Sequence, residues 1–327
     1  MQKIWQNLGK VAPVKGDIGI EIEAEGKNLV PVDSAAWKTE NDGSLRGRFP
    51  DECCEFVLTK PVPISKVKEV LTELKKAQEA ATLNFSFRTS VHIHMNVQEL
   101  THLQLINLVY TYLLLEEPLL SFCGKERKAN RFCLRLQDAE GFMEHFSYLI
   151  QNTLRDFRLV NENSIRYAAL NLAAINKYGS VEFRSMRGTL EVGVLQDWVS
   201  ALVQIKNYAC QAESPAAIFK EFCQLGCLPF LNKVLGVYAD KFTYPNVEKD
   251  MQRSFSLSID VPFLYKQVAH KFKEQLSEAP EKDKKKSSMK IIHDELVQVP
   301  ELERMIQEED LRRRMRNAAA AIRPNFL

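Results

Sequence analysis

The chain has 327 residues, of which 45% are hydrophobic and 26% charged, enough to bury a sizeable core in one large fold or about two domains. Lysine and arginine number 44 and aspartate and glutamate 42, so the formal net charge is +2. This composition excludes a disordered or fibrous protein. The even charge balance argues against a protein whose main role is to coat nucleic acid.

Seven cysteines are too few and too unevenly spaced for a disulfide scaffold. Cys223 and Cys227 have the spacing of one helix face, not that of a zinc knuckle. The N-terminal residues lack the apolar core of a secretion signal, and the most apolar run, residues 101–115, is too short to span a bilayer. We therefore expect a cytoplasmic protein without a membrane segment.

Alternating apolar and polar residues predict strands over residues 17–24, 52–59 and 85–97. In the first of these strands, one face carries Ile18, Ile20 and Ile22. Residues 65–81 have helical spacing, with Ser65 as the predicted N-cap. The buried stripe of this helix is expected to consist of Val67, Val70, Leu71 and Leu74.

The rest of the chain predicts mostly helices, over residues 101–122, 138–156, 193–211 and beyond residue 214. The helix at 101–122 is so apolar that we expect it to be packed inside the protein. Two further strands, 166–174 and 180–186, are predicted on either side of a turn at 176–179.

The C-terminal region changes character. Residues 281–286 are a charged segment, and residues 300–322 predict a surface helix with an arginine-rich end, Arg312, Arg313, Arg314 and Arg316, with Arg323 beyond it. Arginines at a helix C-terminus complement the helix dipole. We favour that explanation, or a contact with a partner, over nucleic-acid binding, because no aromatic residues are interleaved.

Three predicted strands carry catalytic residue types on their polar faces. These residues are Glu21 and Glu23, then Ser90, His92, His94 and Asn96, then Glu182 and Arg184. Each pattern alone has an ordinary explanation, such as a half-exposed strand or a same-face ion pair. Together they provide the carboxylate and imidazole ligands of Mg²⁺ or Mn²⁺ and an arginine that could stabilise a transferring phosphoryl group.

Two further acids belong to this pattern. Asp42 opens the turn Asp42-Gly43-Ser44, and Glu55 lies on the predicted strand at 52–59, although a turn-former and a surface acid would look the same. The chain has no phosphate-binding glycine loop, no HExxH motif and no GxSxG motif. A nucleotide would therefore have to be held by metals and sheet side chains.

The ordered set of motifs resembles the amidoligase family, which comprises phage and bacterial carboxylate–amine ligases of the glutamine synthetase and gamma-glutamylcysteine synthetase superfamily. The motifs are residues 19–23, 42–44, Glu55, residues 90–94, 167–171 and 181–184. The resemblance covers about residues 16–198, and the region after 214 has no recognised counterpart.

The resemblance implies an α+β fold with an antiparallel sheet that forms a concave half-barrel around the active site. The catalytic domain would span residues 1–213, with a helical insertion at about 99–160. A helical region, 214–327, would pack on or complete it. Two or three Mg²⁺ or Mn²⁺ ions and ATP as co-substrate are implied, with an acyl phosphate as the intermediate in amide formation.

The resemblance also assigns roles to individual residues. Glu21, His92 and Glu182 would hold the metal that bridges the ATP phosphates, and Glu23 with Glu55 the metal beside the acid substrate. The other implied roles are a phosphate contact for His94, charge stabilisation for Arg184, amine binding or deprotonation for Asp42, and a further phosphate or substrate contact for Arg131.

Three functions remain open at this stage: the ligase, a metal-dependent phosphotransferase on the same fold, and a non-enzymatic interaction protein that retains it. For the ligase, the acid could be glutamate-like, a peptide or a protein, and the amine and the oligomeric state are open. We expect no membrane partner and no nucleic acid. The expected compartment is the cytoplasm, or the host cytoplasm if the chain is phage-encoded.

Overall fold

The computed structural model describes residues 3–9, 13–139, 141–151 and 163–278. The predicted charged segment at 281–286 and the arginine-rich helix at 300–322 lie outside the described residues. Within these segments the protein is a mixed α+β fold with seven strands and ten helices. The division into domains at residue 213 stays a prediction.

The strands form one antiparallel sheet in the spatial order β2-β3-β1-β5-β7-β6, and β4 pairs with the end of β1. The strands are β1 (Ile18–Lys27), β2 (Trp37–Glu40), β3 (Cys53–Leu58), β4 (Thr82–Leu83), β5 (Ser90–Asn96), β6 (Leu170–Asn171) and β7 (Ser180–Arg187). β1 and β5 are therefore paired on both sides.

The helices account for most of the remaining described residues. They are α1 (Ile4–Asn7), α2 (Val67–Ala77), α3 (His102–Cys123), α4 (Phe142–Gln151), α5 (Ala174–Tyr178), α6 (Val192–Gln211), α7 (Pro215–Leu225), α8 (Cys227–Leu235), α9 (Val247–Leu257) and α10 (Asp260–Glu278). α3 contacts α6, α7 and α9, so helices from beyond residue 214 pack against it.

One face of the sheet forms the floor of the hydrophobic core. The alternate residues Ile18, Ile20 and Ile22 on β1 and Val91, Ile93 and Met95 on β5 are at most 1% exposed. They belong to the same apolar cluster as α2, α3 and α6. The predicted alternation of both strands is confirmed, and it leaves their polar residues on the opposite face.

Helix α3 is the centre of the core. Thr101 caps it, because Thr101 Oγ1 accepts from the Gln104 amide at 3.2 Å and Gln104 Oε1 accepts from the Thr101 amide at 2.9 Å. By length and composition α3 could cross a membrane, but 89% of its most apolar window is buried inside the protein. It is therefore a buried core helix, and its predicted internal position is confirmed.

The helix predicted from Ser65 begins later. Residues 64–66 form a single 3₁₀ turn, α2 starts at Val67, and the residue at its N-cap is Lys66, without a side-chain cap. The prediction of Ser65 as the cap is therefore wrong. The buried stripe is confirmed, since Val67, Val70, Leu71 and Leu74 are all at most 7% exposed.

The strand predicted over 166–174 is reduced to β6, because only Leu170 and Asn171 pair with β7. The predicted turn at 176–179 is largely the short helix α5, which ends at Gly179 with a φ of +74°. A Cβ at Gly179 would lie 2.4 Å from Gln98 Cγ, so glycine is required there by both conformation and space.

Cys223 and Cys227 do not share a helix face. Cys223 belongs to α7 and Cys227 opens α8, with Gly226 between them at a φ of +79°. Gly226 ends α7 and separates it from α8, and the spacing of the two cysteines in the sequence does not indicate this interruption. All seven cysteines lie in described segments and are free thiols, as expected.

Candidate active site on the polar face of the sheet

Strand register brings the three predicted motifs together. Glu21 of β1 is the cross-strand partner of His92 on β5, and Glu23 of β1 is the partner of Glu55 on β3. On the other side of β5, His94 is the partner of Glu182 on β7. Directly opposed residues on one face of a sheet have neighbouring side chains. Residues far apart in sequence therefore meet in one place.

The first cluster combines carboxylates and imidazoles. One ligand atom each from Glu21, His94 and Glu182 lies within 4.8 Å of the others. His94 Nε2 is 3.2 Å from Glu21 Oε1, and His92 Nδ1 is 3.3 Å both from Glu21 Oε2 and from Glu182 Oε1. The four side chains present nitrogen and oxygen donors to one small volume, as a divalent cation requires.

The second cluster consists only of carboxylates. Glu23, Asp42 and Glu55 bring their oxygens within 4.8 Å of one another. A third grouping, Glu21, Glu55 and His92, meets the same criterion and joins the two clusters. The predicted acids Asp42 and Glu55 are therefore part of the assembly, one from a turn and the other from β3.

Burial and mutual repulsion perturb the second cluster. Burial, followed by the charges of Glu21, Glu23 and Asp42, raises the pKa of Glu55 to about 8. Burial also raises the pKa of Glu23. Closely packed carboxylates that resist ionisation are stabilised when a cation binds between them.

In the first cluster, by contrast, the neighbouring histidines favour the ionised form of the Glu21 carboxyl group. Burial opposes the ionisation of Glu21, but hydrogen bonds and charge from His92 and His94 outweigh it and hold its pKa below the usual range. Burial lowers the pKa of His94, but the contact with Glu21 more than compensates and raises it. The Glu21 carboxylate is therefore ionised and already oriented.

Ser90 connects the two clusters. Its Oγ donates a hydrogen bond to Glu23 Oε2 at 2.6 Å and lies 2.8 Å from His92 Nε2. Outer hydrogen bonds of this kind fix the orientation of metal-ligating side chains. The sequence placed Ser90 on the correct face, but its positioning role could not be inferred without the register.

Arg184 forms an ion pair with Glu182, and both residues are less than a tenth exposed. Arg184 Nε also donates to the Phe132 carbonyl at 3.4 Å, and Asn171 Nδ2 donates to Glu182 Oε2 at 2.7 Å. Burial opposes the ionisation of Glu182, but the charges of Arg184, His92 and His94 together outweigh it and lower the pKa. Glu182 and Arg184 are held together as predicted.

A cleft of about 580 Å³ opens directly onto this assembly. Its acidic and imidazole lining is Glu21, His94 and Glu182, and its cationic lining is Arg166, Lys177 and Arg184. A smaller cleft of about 270 Å³ shares Glu21, His94 and Tyr178 with it. The sequence prediction did not include Arg166 or Lys177, which lie on segments of irregular or short helical structure.

Arg131 is not brought into this cleft. It is exposed, and its guanidinium carbon lies 4.8 Å from the centre of the Phe132 ring. Its predicted contact with phosphate or substrate stays a prediction. The other residues to which the resemblance assigns a role, Asp42 included, all lie in the assembly described above, whereas Asn96 donates to the backbone carbonyls of Val14 and Gly16.

A nearby arginine that the sequence did not indicate has a structural role. Arg127 is fully buried and donates to the backbone carbonyls of Arg184 at 2.9 Å, Ser185 at 3.3 Å and Phe87 at 3.4 Å. It therefore ties the segment around Phe87 to β7. In the sequence, Arg127 stands in a charged run, Lys125-Glu126-Arg127-Lys128, which is typical of a solvent-exposed segment. The sequence therefore does not indicate that the Arg127 side chain is buried.

The fold and the site thus define a sheet whose polar face groups acids and histidines that could hold a metal ion beside a buried arginine. Residues 54–205, slightly less than half of the chain, match the family described as "Putative amidoligase enzyme", so the chain is similar to that family over this region. The match includes Glu55, His92, Glu182 and Arg184 and begins after Asp42. A comparison with curated proteins found no match.

Proposed function

We propose that this protein is an ATP-dependent carboxylate–amine ligase that forms an amide through an acyl phosphate. The observation that carries the proposal is the pair of adjacent clusters on one sheet face, joined by the grouping of Glu21, Glu55 and His92 and lying beside the buried Arg184. We further propose that this face is the concave wall of a half-barrel like that of glutamine synthetase. The matched amidoligase family supports the ligase assignment.

The donor set fits divalent cations. Glu21, His92, His94 and Glu182 would hold one Mg²⁺ or Mn²⁺, and Glu23, Asp42 and Glu55 a second. The raised pKa of Glu55 supports this, because a cation would relieve the crowding of the carboxylates. Such ions would neutralise phosphate charge during transfer. The placement of Asp42 supports a ligand role in addition to the predicted contact with the amine.

The protein's own cations would bind and orient the phosphates. Arg166, Lys177 and Arg184 line the cleft on the side of Glu182, where they would contact the anionic oxygens of ATP. Arg184 is fixed by Glu182 and by the Phe132 carbonyl, so its charge is available without reorganisation.

The reaction would proceed in two balanced steps. An oxygen of the substrate carboxylate attacks the γ-phosphorus of ATP, and the bond to the β-phosphate oxygen breaks, giving an acyl phosphate and ADP. The amine nitrogen then attacks the acyl carbon, the bond to the phosphate oxygen breaks to release inorganic phosphate, and the nitrogen transfers a proton to a carboxylate, the role we propose for Asp42. Without phosphorylation the carboxylate would be a poor electrophile. The role of the site is to position the reactants and stabilise charge.

ADP release by the full-length protein, with Mg²⁺ and hydroxylamine present, tests the proposal. A panel of acids is screened, and an active acid gives a hydroxamate that requires both ATP and Mg²⁺. Glu23→Gln and Arg184→Ala should each lower the rate by at least about 100-fold. The matched control is Glu69→Gln, because Glu69 is an exposed acid on α2 that pairs only with Lys66 at 2.7 Å among the described residues.

Three outcomes would contradict the proposal. A stable phosphorylated product without an amide or hydroxamate would identify a phosphotransferase. Calorimetry that detects no metal-dependent ATP binding would indicate an interaction protein that only retains the fold. Unchanged turnover of Glu23→Gln and Arg184→Ala would show that the chemistry is located elsewhere.

A further inference from the structure

Four pairs of neighbouring residues combine a cation with an aromatic ring. They are Phe87-Arg88, Arg131-Phe132, Arg166-Tyr167 and Lys177-Tyr178. In each pair the cation lies over the ring of its neighbour, at 5.4, 4.8, 5.8 and 4.5 Å from the ring centre respectively. Although the pairs are spread over about a third of the chain, the fold brings them to one side of the candidate active site.

These pairs form a continuous surface, which we call the cation–aromatic rim. Arg88 lies 5.9 Å from the ring centre of Phe132, and the rings of Phe132 and Tyr167 are 6.2 Å apart. Arg166 and Lys177 then line the 580 Å³ cleft. The rim therefore extends from the cleft, past the Phe132 carbonyl that accepts from Arg184, to the exposed ring of Phe87.

The charge and exposure of the rim indicate a binding surface. Phe87, Tyr167 and Tyr178 are 57%, 42% and 48% exposed. Among the described residues, no carboxylate lies within ion-pair distance of any of the four rim cations. Exposed aromatic rings combined with arginines are typical of the residues that dominate protein interfaces. The rim is thus cationic and partly apolar, and its cations have no ion-pair partner among the residues that the structure describes.

We propose that the cation–aromatic rim binds an acidic segment of a polypeptide, one of whose carboxyl groups enters the cleft as the acid substrate. The inference rests on the proposed function, which requires a carboxylate substrate. The cleft alone is large enough for a small ligand, whereas Phe87, Arg88 and Arg131 lie outside its lining. An extended anionic substrate would contact them.

The chemistry of the reaction favours a polypeptide over a nucleic acid. An acidic polypeptide and a nucleic acid would both complement the positive charge of the rim, and both could contact its aromatic rings. Only a polypeptide carries the aspartate and glutamate side chains that a carboxylate–amine ligase could activate. Its other acidic side chains would contact Arg88 and Arg131, and its aliphatic groups would pack on Phe87 and Phe132.

Fluorescence anisotropy of the full-length protein tests the inference without catalysis. The probe is a fluorescein-labelled decapeptide of alternating glutamate and glycine, compared with a labelled thymidine decanucleotide. The double variant Arg88→Ala/Arg131→Ala should bind the peptide about tenfold more weakly, as expected for the loss of one half-buried and one exposed charge contact. The matched control, Lys249→Ala/Arg253→Ala, removes two exposed cations from α9 and should bind like the wild type.

A second variant distinguishes a loss of peptide binding from a loss of folding. Because Arg131 is exposed, Arg131→Glu should leave the thermal midpoint unchanged while abolishing most peptide binding. Equal losses in the rim and control variants, or tighter binding of the oligonucleotide than of the peptide, would overturn the inference. Peptide binding is measured without ATP, so a failed ligase assay leaves this result intact. Conversely, a failed peptide assay leaves metal-dependent ADP release intact.

Discussion

Glu55 links metal binding to pH. Burial and the neighbouring carboxylates raise its pKa to about 8 from an ordinary value of 4.5, so the metal-free protein holds a proton there at neutral pH. A cation bound by Glu23, Asp42 and Glu55 requires the ionised carboxylate, and binding must displace that proton. We therefore expect the affinity for Mn²⁺ to rise with pH up to about 8 and then to level off.

The magnitude follows from the fraction of Glu55 that is ionised. With a pKa of about 8, that fraction is about 1% at pH 6 and about 90% at pH 9, so Glu55 alone strengthens binding by about 90-fold, or about 2.7 kcal/mol. The stability of the metal-free fold changes in the opposite sense. Because the pKa of Glu55 is higher in the folded than in the unfolded state, its contribution is complete below about pH 4.5 and lost as the pH rises through about 8.

Isothermal titration calorimetry with Mn²⁺, in pairs of buffers that differ in ionisation enthalpy, measures both the affinity and the protons released. At pH 7 the Glu55→Gln variant should bind more weakly and release about one proton fewer than the wild type. At pH 9 the two should release similar numbers. Identical proton release at pH 7 would refute the argument, as would a wild-type affinity that stays constant between pH 6 and 8. Glu69→Gln serves as the surface control.

Three further predictions concern the supports of the site and the core. Arg127→Met removes a donor to three backbone carbonyls, of which those of Arg184 and Ser185 are bonded in a buried position. It should lower the free energy of unfolding in urea by about 2–4 kcal/mol, and an unchanged midpoint would contradict this. Gly19→Ala places a Cβ 3.2 Å from His94 Cβ, so Mn²⁺ affinity measured by calorimetry should fall while the thermal midpoint changes little. On α3, burial raises the pKa of Glu116 to about 8, so wild-type stability should decrease from pH 6 to 9 by more than that of Glu116→Gln in thermal scans; parallel decreases would show that Glu116 is not responsible.

The strands and helices that were predicted well are those with one buried face, because such a face produces a regular pattern of apolar residues in the sequence. β1 and β5 alternate strictly because one face of each packs in the core, and the stripe of α2 follows the same logic. β2, β4 and β6 have two to four residues each and owe their existence to pairing with longer neighbours. The strand propensities of individual residues do not indicate which distant strand a short segment will pair with.

The site was predictable in its residue types but not in its grouping. Alternation placed Glu21, Glu23, His92 and His94 on polar faces, yet a sequence does not specify which residue on one strand faces which residue on the next. The joining of Glu21 with Glu55 and His92 follows from the register alone. Arg166 and Lys177 were missed because the single turns of helix that carry them are too short to show a period from which a shared cleft could be inferred.

The central position of β1 and β5 also has a dynamic consequence. Each is hydrogen-bonded to a strand on both sides, so their amides should exchange with solvent only when the whole sheet opens. A cation held between these strands would then slow exchange throughout the sheet, because binding to the folded state alone raises the cost of global opening. The turns that carry Phe87 and Arg131 lie outside the strands, and their amides can exchange through small local openings. Hydrogen exchange would therefore divide the described residues into a slowly exchanging sheet and a rapidly exchanging set of turns at the cation–aromatic rim.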